Sequence, residues 1–499
     1  TLHPADPVLG SRLTLQLERA TPTVTLTWRT SPDASALMWL DPAQTAGTRP
    51  FLLSQCQAIH ARSIAPLQDT PAARIRYDAR LRVPDGLTAV MSAAPGVARD
   101  GWLAFAMPQP IPPYLLAFAV GDLASRDLGP RTRVWAEPAT LEAAAWEFAD
   151  AESMLETAES LFGPYAWDRY DFVVLPPSFP LGGMENPRMT FLTPTLLAGD
   201  RSLVGVLAHE LAHSWTGNLV TNATNEDFWL NEGWTVWAER RIVEVLYGEE
   251  EARQQCVLGR LGLEAVMEAR TRGGRRTALV YDQAGLDPDA EFSRVPYEKG
   301  FLLVTALERA VGRPRFDAFV ADYIATFRFR SISTATFLDF VRERLPDAGV
   351  DLDAWTTEDG LPADAPTFRS ERLEALERIA REGGDLTEAR TTTEKLWVLA
   401  RLPSSVDARE AAGQLGIDAL SNAELRASWL ALAVRTGARG LEDQLRGFLD
   451  TVGRTKLLEP VYAAMVARDD LLPLARELYA ANAPRLHGST RLKLKALGL

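Results

Sequence analysis

HELAHSWTGNLVTNATNEDFWLNE, residues 209–232, places His209, Glu210 and His213 within about one helical turn and Glu232 after 18 further residues. Residues at i and i+4 share one face of a helix, so the two histidines can offer imidazole nitrogens to one ion. Catalytic zinc takes three protein ligands, from His and carboxylate groups, and keeps one open position. Glu232 is the candidate third ligand and Glu210 the candidate general base. The stretch predicts a hydrolase with one Zn2+ per chain.

The same pattern can also arise by chance on an ordinary helix whose polar side chains are solvated. The chain has only five histidines, however, and two of them fall inside this pattern. The residues before it, 204–208, and Trp215 after it are apolar enough for a buried helix. We therefore favour the metal interpretation.

The composition limits the function classes. A chain of 499 residues is too long for a single core and suggests roughly three domains. A net charge of −13, with no basic stripe to offset it, argues against a nucleic-acid partner. Two cysteines, Cys56 and Cys256, are too few for a disulfide scaffold or a cysteine metal cluster.

The sequence contains neither an apolar run of membrane-spanning length nor a recognisable signal peptide. It begins at Thr1 without an initiator methionine, from which we expect that an N-terminal segment has been removed. We expect a cytoplasmic monomer, and a periplasmic or secreted location stays open.

Residues 1–123 are expected to form a β-rich domain. Side chains alternate between apolar and polar at 23–28 and at 75–83, and turn clusters at 31–33 and 84–86 separate such runs. The pattern predicts an antiparallel sheet with one solvent-exposed face.

Residues 124–365 are expected to form a mixed α/β domain. The predicted elements are a long helix from about 140 to 163, a strand at 171–175, the metal helix near 202–216, a helix from about 231, and helices after Lys299 and Ser333. The following segment 359–366, DGLPADAP, is typical of a linker.

Residues 366–499 are expected to be all-α. Helical periodicity occurs at 371–383, 391–402, 422–436, 440–452, 456–468 and 470–482. Helices of this length with short turns favour paired helices stacked in a small solenoid.

A second motif, Gly182-Gly183-Met184-Glu185-Asn186, precedes the metal helix. Its two glycines allow close approach of a ligand to the backbone, and Glu185 supplies a carboxylate that could hold a free α-amine. Alone, a polar hairpin turn would be the simpler interpretation. Upstream of HExxH-x18-E, the motif favours a substrate-binding edge.

In combination, these motifs resemble the gluzincin zinc aminopeptidases. Longer stretches are similar to the leukotriene A4 hydrolase/aminopeptidase branch of that family, at 54–71, 175–200, 213–222, 228–233 and 295–301. The resemblance implies a saddle-like N-terminal β domain that is short at its start, a thermolysin-like catalytic domain and a C-terminal helical-repeat domain.

The resemblance assigns catalytic roles by position. His209, His213 and Glu232 match the zinc ligands, and Glu210 matches the general base. Tyr297, in VPYEKG, matches a phenol that donates a hydrogen bond to the tetrahedral oxyanion, where it stabilises charge present only in the transition state.

The resemblance also assigns substrate contacts. Glu185 and Gln57 match residues near the substrate's α-amine, and Gly182, Gly183 and Met184 match the edge that receives the peptide backbone. Arg454 and Lys456, in GRTK, match a pair that recognises the terminal carboxylate of a short peptide.

Two acids have less specific assignments. Glu239 lies two helical turns after Glu232, and we hypothesise that it supports a zinc ligand, although an exposed charge is the alternative. Asp289 matches an acid at the inner end of the family's substrate pocket. It would favour basic N-terminal residues or position a water for epoxide hydrolysis.

The chain departs from the family's mammalian members at Leu181, Phe292 and Asn225, where they have Tyr, Tyr and Trp. These changes alter the pocket that would hold a lipid tail and leave the zinc motif intact. The sequence therefore predicts a zinc aminopeptidase acting on short peptides with a free N-terminus. An epoxide hydrolase, a thermolysin-like endopeptidase and an inactive peptide-binding scaffold are the alternatives.

Overall fold

The computed structural model describes residues 1–417 and 421–499. A β-rich region, a mixed α/β region and an all-α region follow one another along the chain, and the predicted fold class is confirmed. No helix in the described residues is long and apolar enough to cross a membrane.

The N-terminal region consists of antiparallel sheets. Its strands are β1 (Leu2–Asp6), β2 (Gly10–Leu13), β3 (Leu37–Leu40), β4 (Phe51–Ser54), β5 (Ile75–Leu81), β6 (Thr88–Met91), β7 (Ala94–Pro95), β8 (Leu103–Ile111) and β9 (Phe118–Gly121). The two larger sheets have the orders β3-β4-β9-β6 and β5-β8-β7, and β1 pairs with β2. Half-buried and exposed residues alternate along β5, as its period of two predicts.

The alternating stretch 23–28 does not form the expected strand. Trp28 is 54% exposed, and its indole Nε1 donates to the backbone oxygen of Ile64 at 2.9 Å. Alternation favours a strand only where a neighbouring strand offers backbone partners, and here a side chain makes the contact instead.

The central region is built on a five-stranded sheet. Its strands are β10 (Ala124–Asp127), β11 (Thr132–Ala136), β12 (Tyr170–Val174), β13 (Gly183–Met184) and β14 (Met189–Leu192), in the order β10-β11-β12-β14-β13. The three inner strands are parallel, and β10 and β13 run antiparallel at the two edges. A separate parallel pair is formed by β15 (Val220–Asn222) and β16 (Arg330–Ile332).

The helices of this region are α1 (Pro138–Glu147), α2 (Ala151–Phe162), α3 (Gly205–Ala212), α4 (Trp229–Tyr247), α5 (Glu249–Arg272), α6 (Pro288–Glu291), α7 (Val295–Val311), α8 (Arg313–Phe327), α9 (Thr334–Arg344) and α10 (Leu352–Thr357).

The expected single helix from 140 to 163 is thus two helices, α1 and α2. The buried Glu147 accepts hydrogen bonds from the backbone N–H groups of Gly199 and Arg201, each at 2.8 Å. These tertiary contacts anchor the end of α1, and α2 starts at Ala151.

The C-terminal region contains α11 (Glu371–Glu382), α12 (Thr392–Arg401), α13 (Ala408–Leu415), α14 (Ala423–Arg435), α15 (Glu442–Leu449), α16 (Thr455–Val466), α17 (Leu472–Asn482) and α18 (Gly488–Lys495). The six predicted helices are present with ends shifted by up to three residues. The periodicity missed α13 and α18.

Buried apolar residues form two large clusters. One extends from Met38 to Ala365, and the other from Leu373 to Leu494. The proposed boundary at 365/366 lies between the clusters, whereas the one at 123/124 lies inside the first. We retain both as proposals, with the first two domains sharing one apolar core.

Helices α4 and α7 touch at two glycines, which brings their backbones together. A Cβ atom at Gly233 would lie 2.6 Å from Gly300 Cα, and one at Gly300 would lie 2.8 Å from Gly233 Cα. No side chain fits between the two helices at this point. The contact lies next to Glu232 and one helical turn after Tyr297.

Replacing Gly300 by alanine should lower the free energy of unfolding by about 2 kcal/mol or more, because the new methyl group has no space and must separate the helices. Urea denaturation followed by tryptophan fluorescence would measure the change. Gly447→Ala is the matched control, since this glycine of α15 has open space around it. Equal stability of the two variants would contradict the close contact.

Candidate active site

The three predicted metal ligands converge between α3 and α4. The Nε2 atoms of His209 and His213 lie 3.2 Å apart, and Glu232 Oε2 lies 3.3 and 3.5 Å from them. All three side chains are largely buried. Two imidazoles and one carboxylate are a donor set that zinc prefers.

The state of these groups also fits a cation. Within the described residues, the buried Glu232 Oε2 has no hydrogen-bond partner, and a buried carboxylate oxygen without a donor or a cation is costly. Burial lowers the pKa of His213 to about 4, which keeps the imidazole neutral and its lone pair available to a metal.

The second nitrogen of each histidine is held by a separate group. His209 Nδ1 lies 2.9 Å from Glu239 Oε2, and His213 Nδ1 lies 3.1 Å from the backbone oxygen of Thr216 and 3.0 Å from Thr235 Oγ1. Acceptors at Nδ1 hold the proton there and leave Nε2 free for the ion. The contact of Glu239 is the one that its hypothesised role requires. Thr235 was not predicted, although it lies three residues after Glu232 on α4 and this i, i+3 spacing could have suggested it.

Glu210 lies beside the ligand set. Ligand atoms of Glu185, Glu210 and His213 all fall within 4.8 Å of one another. Burial raises the pKa of Glu210 well above its ordinary value, and the neighbouring carboxylates add to the effect. A carboxylate with a raised pKa is a suitable proton acceptor near neutral pH. Gly183 faces it so closely that a Cβ there would lie 2.5 Å from Glu210 Cδ.

The buried Glu185, which the sequence predicts to hold the substrate's α-amine, lies among amide side chains. Its Oε1 lies 3.5 Å from both Gln57 Nε2 and Asn231 Nδ2, and Asn218 Nδ2 donates to its backbone oxygen at 2.8 Å. Burial raises the pKa of Glu185 to about 6. Asn231 was missed in the sequence although it directly precedes Glu232.

Tyr297 lies in the first turn of α7, close to the ligand set. Its ring is stacked near His209, with centroids 6.2 Å apart, and Phe228 and Phe292 pack edge-on against it at 6.0 and 5.8 Å. Burial and nearby carboxylates, Glu232 first among them, raise the pKa of Tyr297. The phenol therefore keeps its proton and is able to donate a hydrogen bond.

The substrate-binding edge predicted at Gly182, Gly183 and Met184 contains β13, an outer strand of the central sheet. An outer strand has one side unpaired and can accept an extended peptide. A Cβ at Gly182 would lie 2.7 Å from Arg454 Nη2, so the C-terminal region contacts this edge directly.

Arg454 and Lys456 share one acid. Arg454 Nη1 and Lys456 Nζ lie 3.0 and 2.8 Å from Glu424 Oε1. Burial alone would raise the pKa of Glu424, but Lys456, Arg454 and Arg294 outweigh it and lower the pKa to about 2. Glu424 was not predicted, because its partners lie about 30 residues away with no local pattern linking them.

Comparisons with known proteins agree with this geometry. Residues 146–355 match the family model described as "Peptidase family M1 domain", and residues 397–497 match "Leukotriene A4 hydrolase, C-terminal". Human aminopeptidase B is 39% identical over 500 residues, covering 93% of this chain and 77% of the relative. Leukotriene A-4 hydrolase of Xenopus laevis is 41% identical over 468 residues, covering 87% and 76%.

The chain belongs to peptidase family M1. A solved structure of yeast leukotriene A4 hydrolase in complex with bestatin superposes with a TM-score of 0.92 at 32% identity, covering 100% of this chain and 86% of that chain. The M1 assignment makes the chain a metallo-aminopeptidase and implies zinc as its metal. The predicted family, fold and enzyme class are thereby confirmed.

Three further positions compared with the family in the sequence analysis, Asp289, Phe292 and Asn225, have different kinds of contact. Asp289 Oδ2 lies 3.0 Å from His60 Nε2, a partner that the sequence did not predict. Phe292 is 42% exposed beside Tyr297, and Asn225 Nδ2 donates to Gln283 Oε1 at 2.6 Å.

Glu239→Gln should weaken zinc binding about 10- to 100-fold, because the amide accepts the proton of His209 Nδ1 less strongly than the carboxylate does. Competition between the apoprotein and a chelating dye would measure the affinity. Glu244→Gln is the control, since Glu244 lies on the same helix and pairs with Arg313. Unchanged affinity in Glu239→Gln would remove the supporting role of Glu239.

Proposed function

We propose that this M1 aminopeptidase releases the N-terminal residue from short peptides, of about two to four residues. The observation that carries the proposal is the buried carboxylate of Glu185, which lies beside Glu210 and next to the outer strand β13. A peptide extended along β13 would meet this carboxylate just beyond the bond to be cleaved. A free ammonium group compensates the buried charge, whereas a continuing chain would leave it unpaired.

His209, His213 and Glu232 would hold one zinc ion. When bound, zinc would supply Lewis acidity to the scissile carbonyl and lower the pKa of water. Glu210 removes a proton from the attacking water and delivers it to the leaving nitrogen. Tyr297 donates its phenolic hydrogen bond to the oxyanion that develops on the carbonyl oxygen.

The far end of the peptide meets Arg454 and Lys456. These two cations pair with one acid, Glu424, and Arg294 lies near it, so the local side chains leave a net positive charge for a substrate carboxylate. A peptide held at both ends has a limited length, which is the reason for proposing short substrates.

Epoxide hydrolysis is the second candidate, because the chain is similar to proteins named leukotriene A4 hydrolase. The altered pocket residues Leu181, Phe292 and Asn225 count against it. An endopeptidase is disfavoured by Glu185, and a peptide-binding scaffold by the complete set of catalytic side chains.

Free Arg-Ala-Ala should be cleaved and its N-acetylated form should not, because acetylation removes the charge that pairs with Glu185. A chelator should abolish cleavage, and added zinc should restore it. Glu185→Gln should raise the KM for the free peptide at least about tenfold with a smaller change in kcat, since a charge-assisted hydrogen bond is lost.

Glu142→Gln, at an exposed ion pair with Arg126, serves as the control for these assays. Equal cleavage of the acetylated and free peptides would overturn the assignment of Glu185. Such a result would favour an endopeptidase.

Converting the C-terminal carboxylate of Arg-Ala-Ala to an amide should lower kcat/KM about tenfold or more, because Arg454 and Lys456 lose the anion that they bind. In Lys456→Met this difference between acid and amide should shrink. Lys495→Met, at an exposed position of α18, should retain it. The proposed role of Arg454 and Lys456 is contradicted if the acid, the amide and long unfolded chains are cleaved at the same rate.

A further inference from the structure

His60, Asp289 and His487 form a cluster where the three regions of the chain meet. His60 Nε2 lies 3.0 Å from Asp289 Oδ2, and His60 Nδ1 lies 2.8 Å from Ser35 Oγ. His487, which precedes α18, is buried and interacts electrostatically with both groups. The side chains of His60 and Asp289 remain 21% and 24% exposed, so a small ligand can reach the pair.

Two chain segments connect this cluster to the proposed active site. One runs from Gln57, whose amide faces Glu185, to His60, and three residues of chain span at most about 10 Å. The other runs from Asp289 through Phe292 to Tyr297, whose ring stacks on His209. The segments start at the same site and meet again at the His60–Asp289 pair. A volume between the two segments would therefore have this pair at its inner end.

The side chain of the substrate's first residue would enter this space. The α-amine and the side chain share one Cα atom, so an amine held at Glu185 directs the side chain into the adjoining volume. An arginine side chain reaches about 7 Å from its Cα, comparable with the separation that the 57–60 segment permits. The charge of the His60–Asp289 pair then interacts with the side chain of the first substrate residue.

The charge of this pair depends on one proton. With His60 neutral the pair carries a net negative charge, and with His60 protonated it is neutral. Asp69 also faces His60, but Arg62 donates to its Oδ2 from Nε at 3.2 Å. Asp287 is the other nearby carboxylate, and its side chain caps α6 by accepting from Asp289 N at 3.0 Å.

His487 cannot take over this role. Burial, with smaller contributions from His60 and Arg491, lowers the pKa of His487 to about 4 although Asp289 acts to raise it, so the ring stays neutral near physiological pH. The proton on His60 is therefore the variable charge beside Asp289.

We propose that His60 is a positioning residue that sets the side-chain preference of the first substrate residue. Protonated His60 neutralises Asp289 and favours a neutral side chain, whereas neutral His60 leaves Asp289 free to pair with arginine or lysine. This inference rests on the aminopeptidase function proposed above.

The direction of the pH dependence follows from the surroundings of His60. Burial alone would lower its pKa, but the carboxylates of Asp289, Asp287 and Asp69 outweigh burial and raise the pKa above the ordinary histidine value. His60 loses its proton as pH rises through that raised value. The preference for arginine therefore increases with pH.

The test compares kcat/KM for Arg-Ala-Ala and citrulline-Ala-Ala between pH 5.5 and 9 on the zinc-loaded enzyme. Citrulline is the neutral counterpart of arginine with nearly the same shape, so effects on the α-amine, Glu185 and Glu210 cancel in the ratio. The ratio should rise about fivefold or more with pH in the wild type. It should stay high and flat in His60→Gln and low and flat in Asp289→Asn.

His3→Gln is the control, because His3 lies in β1 and contacts Thr14. This variant should follow the wild-type profile. A ratio that rises in His60→Gln as it does in the wild type would overturn the proposal, as would a flat wild-type ratio.

A second measurement does not depend on catalysis. Nuclear magnetic resonance titration of the histidine rings, with the His60 signal identified from His60→Gln, should give a lower His60 pKa in Asp289→Asn. Arginine amide should also lower the His60 pKa in the wild type, since a guanidinium at Asp289 and a proton on His60 compete.

An unchanged His60 pKa in both cases would overturn the inference. Failure of the proposed function has a different signature, because neither tripeptide would then be cleaved while the ring titration could still respond to Asp289→Asn.

Discussion

The backbone contact between Gly233 and Gly300 is the constraint on which the catalytic region depends. Glu232 directly precedes the first glycine, and Tyr297 lies one turn before the second. Because helices are rigid over such short distances, the crossing fixes the separation of a metal ligand and the proposed oxyanion donor. A buried ion pair between Arg240 and Glu298 at 2.9 Å also joins the two helices and fixes their register. Its polarity makes a shifted register costly, since shifting would leave both charges buried without partners.

The cluster of carboxylates at the site is stabilised by a cation. Glu185, Glu210 and Glu232 are buried, and Glu239 lies beside them at His209. Burial disfavours the charged forms of Glu185 and Glu210 and raises their pKa values, and at Glu210 repulsion from the neighbouring carboxylates adds to the effect. A cation among these side chains offsets the repulsion, so metal binding and stability of the site are coupled. The cluster of carboxylates that would serve catalysis therefore also favours the binding of a divalent ion.

Local patterns were sufficient to predict part of this arrangement. The histidines follow helical spacing, Glu239 follows two turns after Glu232, and GGMEN, predicted as a substrate-binding edge, includes the outer strand β13. Other features depend on contacts between distant segments and leave no local pattern. Glu424 beside Arg454 and His60 beside Asp289 are examples, and the break after α1 follows from bonds between Glu147 and residues about 50 positions later. The alternation at 23–28 failed for the same reason, because strand formation requires a partner that the pattern does not specify.

The two ends of the proposed peptide site come from different regions of the chain, so its length is set by how those regions pack. Gly453 lies so close to the loop before β13 that a Cβ there would lie 2.7 Å from Ser178 Cα, and Thr455 N donates to the Pro180 backbone oxygen at 2.9 Å. These contacts hold Arg454 at the same loop that leads to Glu185. A longer cleft would require the C-terminal region to separate from this loop and lose both contacts. The proposed preference for short peptides would thus be a property of the interface between regions, which these backbone contacts maintain.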